Sequence, residues 1–260
     1  MEQDIKQNEL LNEEIIKESI KNSSGKKYKL LHLIKEMWPA YLVEIFVIIL
    51  GISITLALEQ WRDNRKENHL EKIYLKNLLA DINVDLQSLN YATTNTKDIL
   101  NKGNDLISFI NGPADNIQSN QIISDIQGIL ARPNFTSNDA TFSDLKSSGN
   151  LHLLKDIQLK NSLFAYYSMT QSIKENQDAE QQATITISGS YFLKRFPMGD
   201  FKNQGLLISQ KEMQELTKNI EFGNNVLLRV SNRKELLDKY QKIYALGIQL
   251  KDALSVKIQE

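Results

Sequence analysis

The feature that most constrains this chain is an apolar run without a charge, Ile45 to Leu58, near the N-terminus. A run of this length alone is typical of a buried core helix. Trp38 and Trp61 bracket it, however, and on a helix rising about 1.5 Å per residue they lie roughly 34 Å apart, near the spacing of the two bilayer interfaces. We therefore predict a single transmembrane helix over residues 38–60, with the lipid bilayer as its partner.

The flanks of the run argue against two other interpretations. Basic residues lie outside both ends: Lys26, Lys27, Lys29 and Lys35 before it, and Arg62, Arg65 and Lys66 after it. A soluble core helix seldom combines an apolar surface all the way round with aromatic and basic residues at both ends. A cleavable signal peptide would lie closer to the N-terminus and end in a small-x-small cleavage site. The run is therefore predicted to be an uncleaved anchor.

Two features inside the predicted anchor have either a functional or a purely structural role. Glu44 lies six residues, less than two turns, from Trp38, where a carboxylate either acts as an ion relay or reaches the headgroups or a partner helix. Gly51 and Thr55 place small residues four apart, which permits close approach of a second helix.

At the start of the anchor, Pro39 is expected to occupy a first helical turn, which tolerates a missing N–H.

The orientation of the anchor is open on charge alone. Lysine and arginine counts near the two ends are almost equal, so the positive-inside rule does not decide it. We expect a short N-terminal tail inside and the larger domain on the periplasmic side.

The rest of the chain is predicted to be helical, because Gly (11) and Pro (4) are scarce and unbranched side chains are plentiful. The fold class is all-α: one N-terminal transmembrane helix that continues into an α-helical bundle. Residues 1–37 form a polar tail, partly disordered, with an amphipathic helix or simple disorder at 1–27. Residues 61–260 form the helical extramembrane domain. Helices are predicted at 93–111, 118–131, 141–146 (capped by Thr141), 156–190, 209–218 and from 224 onward, with a turn at 196–199 and an alternative short strand at 184–187.

A heptad pattern follows the anchor. Leucine and isoleucine recur at steps of four and three over about two heptads (Leu75, Leu79, Ile82, Leu86 and Leu89). This spacing suits a coiled coil or one helix of a bundle. Its short length favours packing inside one domain and leaves a homo-oligomer possible.

The sequence contains no recognisable catalytic, cofactor or metal site. His32, His69 and His152 are isolated, and no Walker loop, G-x-S-x-G or G-x-G-x-x-G motif occurs. Asp81 and Asp85 share a helix face and could hold a cation only with a third ligand, so a solvated face is the preferred interpretation. Four tyrosines are expected to contribute rings to the core (Tyr166, Tyr167, Tyr240 and Tyr244). The net charge of −1 gives no reason to expect nucleic acid as a partner.

Two segments resemble a bacterial family of single-pass membrane proteins known only as a domain of unknown function. The first, residues 44–67, is similar to the family's anchor in its Glu44, mid-helix Gly51, Ala57, Trp61 and Arg65. The second, residues 141–167, is similar in its Ser-Ser-Gly-Asn turn and paired tyrosines. The resemblance implies a bacterial inner-membrane protein and makes Glu44 and the Gly149-Asn150 turn the first positions to examine.

Three functions compete on these observations. The preferred one is a membrane-anchored helical interaction or scaffold protein, self-associating or bound to another protein. The alternative is a ligand-sensing or signal-transducing membrane module. An enzyme with carboxylates or tyrosines in an inter-helix cleft is the least favoured, and we predict that the protein is not an enzyme.

Overall fold

The computed structural model describes residues 2–112, 119–195 and 208–259; within residues 2–40 it describes the backbone and the side chains of Lys17, Trp38 and Pro39. The turn predicted at 196–199 lies outside the described residues. The chain divides into two compact units, Met1–Lys66 and Glu67–Glu260. Each unit is built differently, and the described residues of the first are all helical.

The apolar run lies in helix α1, which extends from Glu2 to Asn111. Every side chain from Tyr41 to Lys66 is exposed. An 18-residue window of α1 has a mean hydropathy of 2.4 and contains no buried residue. The described chain therefore has one helix long and apolar enough to cross a membrane. The partial disorder expected for residues 1–37 stays a prediction.

Pro39 lies inside α1, so the expectation that it occupies a first helical turn is wrong. A proline in a helix interior removes one backbone hydrogen bond.

The second unit is all-α, as predicted, and the described residues contain no strand. After α1 come helices of very different length: α2 (Ser119–Ile129), α3 (Ala140–Ser147), α4 (Ile157–Ala183), α5 (Ser190–Arg195), α6 (Gln210–Thr217) and α7 (Ile220–Gln259). A turn of 3-10 helix occupies Asn150–Leu153, and a π-helix, Thr184–Gly189, joins α4 to α5.

Several predicted boundaries are corrected. The helix expected at 93–111 is not separate but forms the end of α1, because no glycine or proline interrupts residues 90–96. The strand considered at 184–187 is π-helix. Asp139, not Thr141, precedes α3 at the N-cap position, and α7 begins at Ile220 rather than 224.

Local signals explain where the helices start and stop. The Asp156 carboxylate accepts hydrogen bonds from the backbone of Gln158 (2.9 Å) and Leu159 (3.0 Å) at the start of α4. These bonds lower the pKa of Asp156. Ser209 and Glu212 form a capping box at α6. Gly149 has a φ of 75°, a left-handed conformation, in the predicted turn after α3.

The predicted heptad residues lie in the domain core. Leu75, Ile82, Leu86 and Leu89 are buried, and Leu79 packs against them from a half-buried position. They belong to a large apolar cluster with residues of α4 and α7 such as Leu163, Tyr166, Tyr240, Ile243 and Leu250. A second buried cluster joins the end of α1 to α2, α5, α6 and the start of α7 (Phe109, Ile122, Ile126, Phe192, Leu216 and Phe222). The domain thus has two apolar clusters.

Close helix approach holds α1 against α7. A Cβ on Gly247 would lie 2.9 Å from Leu86 Cδ2, and a Cβ on Gly103 would overlap Val230. The contacts pair an early α1 residue with a late α7 residue, so the two helices are antiparallel. Both glycines are required by this contact because a larger side chain would push the helices apart.

Candidate functional site

A buried layer of charged and polar side chains lies along α7 between the residues of the two apolar clusters. Arg229 and Arg233, one turn apart on α7, are 1% and 0% exposed. Both contact Glu180 of α4, which is 3% exposed. Arg233 Nη2 lies 2.7 Å from Glu180 Oε2, and Arg229 Nη1 donates to Glu180 Oε1. Isolated charges are rarely buried to this extent, so the three form one ionic cluster.

The same residues extend into a polar seam between α4, the π-helix and α7. Arg229 also donates to the Thr184 hydroxyl in the first turn of the π-helix. Gln177 Nε2 donates to the Tyr240 hydroxyl at 2.8 Å, and both side chains are buried. The polar residues on α4 and the π-helix recur every three or four positions, which places them on one face.

One carboxylate faces two guanidinium groups, so the layer carries excess positive charge. Backbone carbonyls compensate for part of it. Arg229 Nε donates to Ile129 O at 2.8 Å and its Nη2 to Ala131 O at 3.1 Å, and Arg233 Nη1 donates to Pro133 O at 3.1 Å. Since Ile129 ends α2, the arginine sits at the negative end of that helix dipole.

Burial acts on the protonation of both arginines. Loss of hydration lowers the pKa of Arg229 to about 10, while the charge of Glu180 acts in the opposite direction. The pKa of Arg233 is lowered for the same main reason. With a pKa of about 10, Arg229 is protonated at neutral pH, so it forms an ion pair with Glu180 under ordinary conditions.

The carbonyls of Ala131 and Pro133 belong to a loop, residues 131–139. Two carboxylates of α1 bind the same loop from another side. Asp85 accepts hydrogen bonds from the Ser137 hydroxyl (2.7 Å) and the Asn138 backbone N–H (2.6 Å). Asp81 accepts from the Asn138 side chain at 2.8 Å and from the Thr141 backbone N–H at 3.2 Å. The loop is thus fixed between carboxylates of α1 and arginines of α7.

Asp85 is the most deeply placed of these carboxylates. It is 0% exposed and also accepts a hydrogen bond from the Tyr166 hydroxyl at 2.9 Å. Burial raises its pKa, although the hydrogen bonds from Asn138, Ser137 and Tyr166 act against the rise. Burial and the neighbouring Asp85 charge raise the pKa of Tyr166 and of Tyr167. The tyrosines therefore remain neutral donors.

Chemically, this arrangement joins helices. Its carboxylates accept and its guanidinium groups donate within the domain, which fixes α1, the loop, α4 and α7 to one another. Some capacity remains: Arg233 Nε, Asn225 Oδ1 and Ser188 Oγ are buried and form no hydrogen bond within the described residues. Buried polar groups without partners recur at functional sites, so the layer is the candidate functional site.

The residues singled out from sequence have mixed outcomes. Asp81 and Asp85 share a face, as predicted, but they bind the loop instead of facing solvent. No group of three or more His, Asp or Glu residues that could hold a metal occurs among the described residues. His69 is exposed, and a ring nitrogen of His152 lies 2.9 Å from Gly149 O. The side chain of His32 lies outside the described residues.

The structure also places the residues singled out in the apolar segment and in the Gly149 turn. Glu44 is exposed among exposed apolar side chains. The Thr55 hydroxyl donates to Gly51 O at 2.9 Å within the helix. Near the Gly149 turn, the Asn150 side chain donates to the Tyr74 hydroxyl at 2.9 Å, which in turn donates to Asp144 at 2.8 Å. The turn therefore helps to attach α3 to α1.

The tyrosine prediction is confirmed for three residues and wrong for one. Tyr166, Tyr167 and Tyr240 are buried, whereas Tyr244 is 37% exposed. Tyr244 follows the fully buried Ile243 by one residue, a rotation of about 100° around the helix, so its ring is turned partly outward.

Sequence reasoning missed Glu180, Arg229 and Arg233. The available signal was the four-residue spacing of the arginines within an otherwise apolar core stripe of α7 that includes Val226 and Leu236. The partner carboxylate lies 49 residues from Arg229 and gives no local sign of the pairing.

Comparison of the chain with protein-family models, with curated proteins and with solved structures finds no match. The resemblance to the bacterial membrane family stays a prediction.

Proposed function

We propose that this protein is a membrane-anchored helical interaction or scaffold protein, in which residues 38–60 hold the helical domain at a bilayer surface. The observation that carries the proposal is the complete exposure of the apolar segment. Its side chains from Tyr41 to Leu58 are exposed, and such a surface is stable in hydrocarbon rather than in water. The domain of residues 67–260 has its own buried clusters, so it does not need the segment as part of its core.

The proposed location is a bacterial inner membrane with the domain on the periplasmic side. Trp38 and Trp61, both more than half exposed, suit the two interfaces. The guanidinium of Arg65 lies 4.9 Å from the Trp61 ring centre, a pairing of the kind found where an aromatic belt meets charged headgroups. These features support a membrane-spanning helix. A topology reporter tests which side of the membrane carries the domain.

A reporter that is active only outside the cytoplasm tests the location. One fusion carries it after Glu260 and a second fusion carries it before Met1. Activity of the C-terminal fusion alone supports the periplasmic domain. Activity of the N-terminal fusion alone would place the domain in the cytoplasm, and activity of both would contradict a single pass.

The interaction role is tested on the full chain in mild detergent. Light scattering that separates protein from detergent mass gives the oligomeric state, and affinity capture from membranes identifies co-purifying proteins. We expect a mass above that of one 29.8 kDa chain or a stoichiometric partner. A monomer without a partner would contradict the role.

The buried polar layer favours a second candidate function, a ligand-sensing or signal-transducing module. Buried ionic groups with unused hydrogen-bonding capacity, next to a π-helix, are features that recur at functional sites. A groove of about 420 Å³ between α4 and α7 lies beside this layer, with Glu180 and Glu235 among its lining residues. Hydrogen exchange measured with and without periplasmic extract tests the idea. Altered protection in 180–189 would support sensing, and unaltered protection would contradict it.

A further inference from the structure

The outward face of α1 carries a second heptad pattern that the domain core does not use. Six exposed residues recur at steps of four, three, four, three and four: Ile73, Asn77, Ala80, Val84, Gln87 and Tyr91. We call them the outer seam. Three of them are large and apolar, with exposed fractions of 40% for Ile73, 53% for Val84 and 65% for Tyr91.

The outer seam lies opposite the buried stripe of the same helix. Val84 follows the fully buried Ile82 by two residues, and two residues rotate a helix by about 200°. The buried stripe therefore packs inside the domain, while the outer seam has no packing partner within the described chain. We infer that the outer seam is a parallel dimerisation surface for a second copy of this chain. The inference rests on the proposed membrane anchor and names the partner.

Heptad spacing selects a helix as the occupant. Steps of four and three keep residues on one side of two helices that wind around each other, so that side chains of one enter the gaps of the other. A partner of different pitch, such as a strand or a loop, would meet only part of a seam that runs about 27 Å along α1.

The residues at individual positions favour an identical, parallel partner. In this register the a positions are Asn77, Val84 and Tyr91, and the d positions are Ile73, Ala80 and Gln87. A β-branched residue at a suits a two-stranded parallel pair, and an asparagine at a meets its own copy across the pair, which fixes register at a cost in stability. The six positions carry no charge, so two copies do not repel each other along the seam.

The proposed membrane anchor gives two copies of the chain the same orientation and raises their local concentration. Copies inserted in one direction have their domains on the same side of the bilayer, as a parallel pair requires. Six residues per copy are fewer than the roughly 20 of a standard interface, so the seam alone binds weakly. Confinement to a membrane raises the effective concentration and allows a weak contact to form a dimer.

The absence of cysteine from the chain permits a direct test by single-cysteine cross-linking of the full-length protein in membranes. The seam variants are Ala80→Cys, Val84→Cys and Gln87→Cys. Asn90→Cys is the matched control, because it is exposed on the same helix but about 100° from the centre of the seam. Ser162→Cys on α4 is an exposed control on another helix.

Mild oxidation is expected to convert the seam variants to disulfide-linked dimers at least tenfold more than either control. Adding Ile73→Lys to Val84→Cys should remove the dimer, because it places like charges opposite each other at an exposed site that the fold does not need. Equal cross-linking of seam and control variants, or none at the seam, would overturn the inference. So would seam adducts with a different protein.

Membrane fractionation of the same samples distinguishes a failure of the dimer inference from a failure of the proposed membrane anchor. Protein found in the membrane without a seam cross-link contradicts the dimer and leaves the anchor standing. Protein absent from the membrane contradicts the proposed function and, with it, the inference.

Discussion

Arg233 Nη2 lies 2.7 Å from Glu180 Oε2, and both side chains are almost completely buried. With Arg229 on the other carboxylate oxygen, this pair joins α7 to α4 between the two apolar clusters. A buried ion pair adds little net stability compared with apolar packing, but removing one partner is costly because the other charge is left unpaired. The ionic layer therefore specifies how these helices pair.

Replacing Glu180 by Ala should destabilise the domain strongly. The change leaves Arg229 and Arg233 buried without a carboxylate, and breaking such a pair costs about 3–5 kcal/mol. Urea unfolding of residues 67–260, followed by circular dichroism, measures this. Glu175→Ala, on an exposed face of the same helix, is the control and should change the free energy of unfolding by less than about 0.5 kcal/mol. A similar small effect at Glu180 would contradict the ionic layer.

Asp85→Ala should cost more than Asp85→Asn. Alanine removes the acceptor for Ser137, the Asn138 backbone and Tyr166. The lost bond leaves the buried Tyr166 hydroxyl unpaired, at about 1–3 kcal/mol, and the two half-buried donors add to this cost. Asparagine keeps an acceptor oxygen and can donate to the tyrosine hydroxyl. The same unfolding experiment compares the two variants. Equal losses would mean that the hydrogen bonds at Asp85 do not hold the loop.

Gly247→Ala and Gly223→Ala should have effects of opposite sign. An added methyl at Gly247 meets Leu86 at 2.9 Å, and overpacking of this kind costs about 1–3 kcal/mol. At Gly223 a Cβ meets nothing within 4 Å, so alanine should stabilise α7 by about 0.5–1 kcal/mol. Thermal unfolding of both variants checks the pair. Stabilisation at Gly247 would contradict the close approach of α1 and α7.

Stability should fall above pH 10 in part because of Tyr167. Burial raises the pKa of this tyrosine in the folded state above its ordinary value of 10. Its contribution is fully present below pH 10 and is lost as the pH rises towards the folded-state pKa, by up to about 1.4 kcal/mol per pH unit. Tyr167→Phe should reduce the slope of unfolding free energy between pH 10 and 11.

Deprotonation of Arg229 changes stability in the opposite direction with rising pH, because the pKa of Arg229 is lowered to about 10. The slope of the unfolding free energy of each variant is therefore compared with the slope of the parent chain. Tyr91→Phe, on an exposed ring, is the control and should keep the parent slope. A Tyr167→Phe slope equal to the parent's would contradict burial of this hydroxyl.

Local patterns in the sequence are enough to predict the apolar segment and several helix ends. The uncharged run, the Ser209 and Asp156 caps and the Gly149 stop act within a few residues, so they can be recognised without the fold. The predicted break before residue 93 was wrong because residues of modest helix propensity do not end a helix that tertiary packing supports.

The polar layer could not be predicted in this way. Glu180 and Arg229, like Asp85 and Ser137, are far apart in sequence and meet only when the bundle forms. Asp81 and Asp85 resembled an exposed acidic pair because their partner, the loop at 131–139, is distant in sequence: Ser137 lies 52 residues from Asp85. The outer seam was overlooked because the stronger Leu75–Leu89 pattern on the same helix accounted for the heptad spacing.

Flotation of the full chain with lipid vesicles, followed by alkaline carbonate extraction, tests the membrane anchor most directly. The fragment of residues 67–260 and a full-length Ile48→Lys, Ile52→Lys variant are the comparisons. The full chain should float and resist extraction, while the fragment should stay in solution and the charged variant should be largely extracted. Full-length protein that remains soluble, or that carbonate removes as readily as the charged variant, would contradict the anchor.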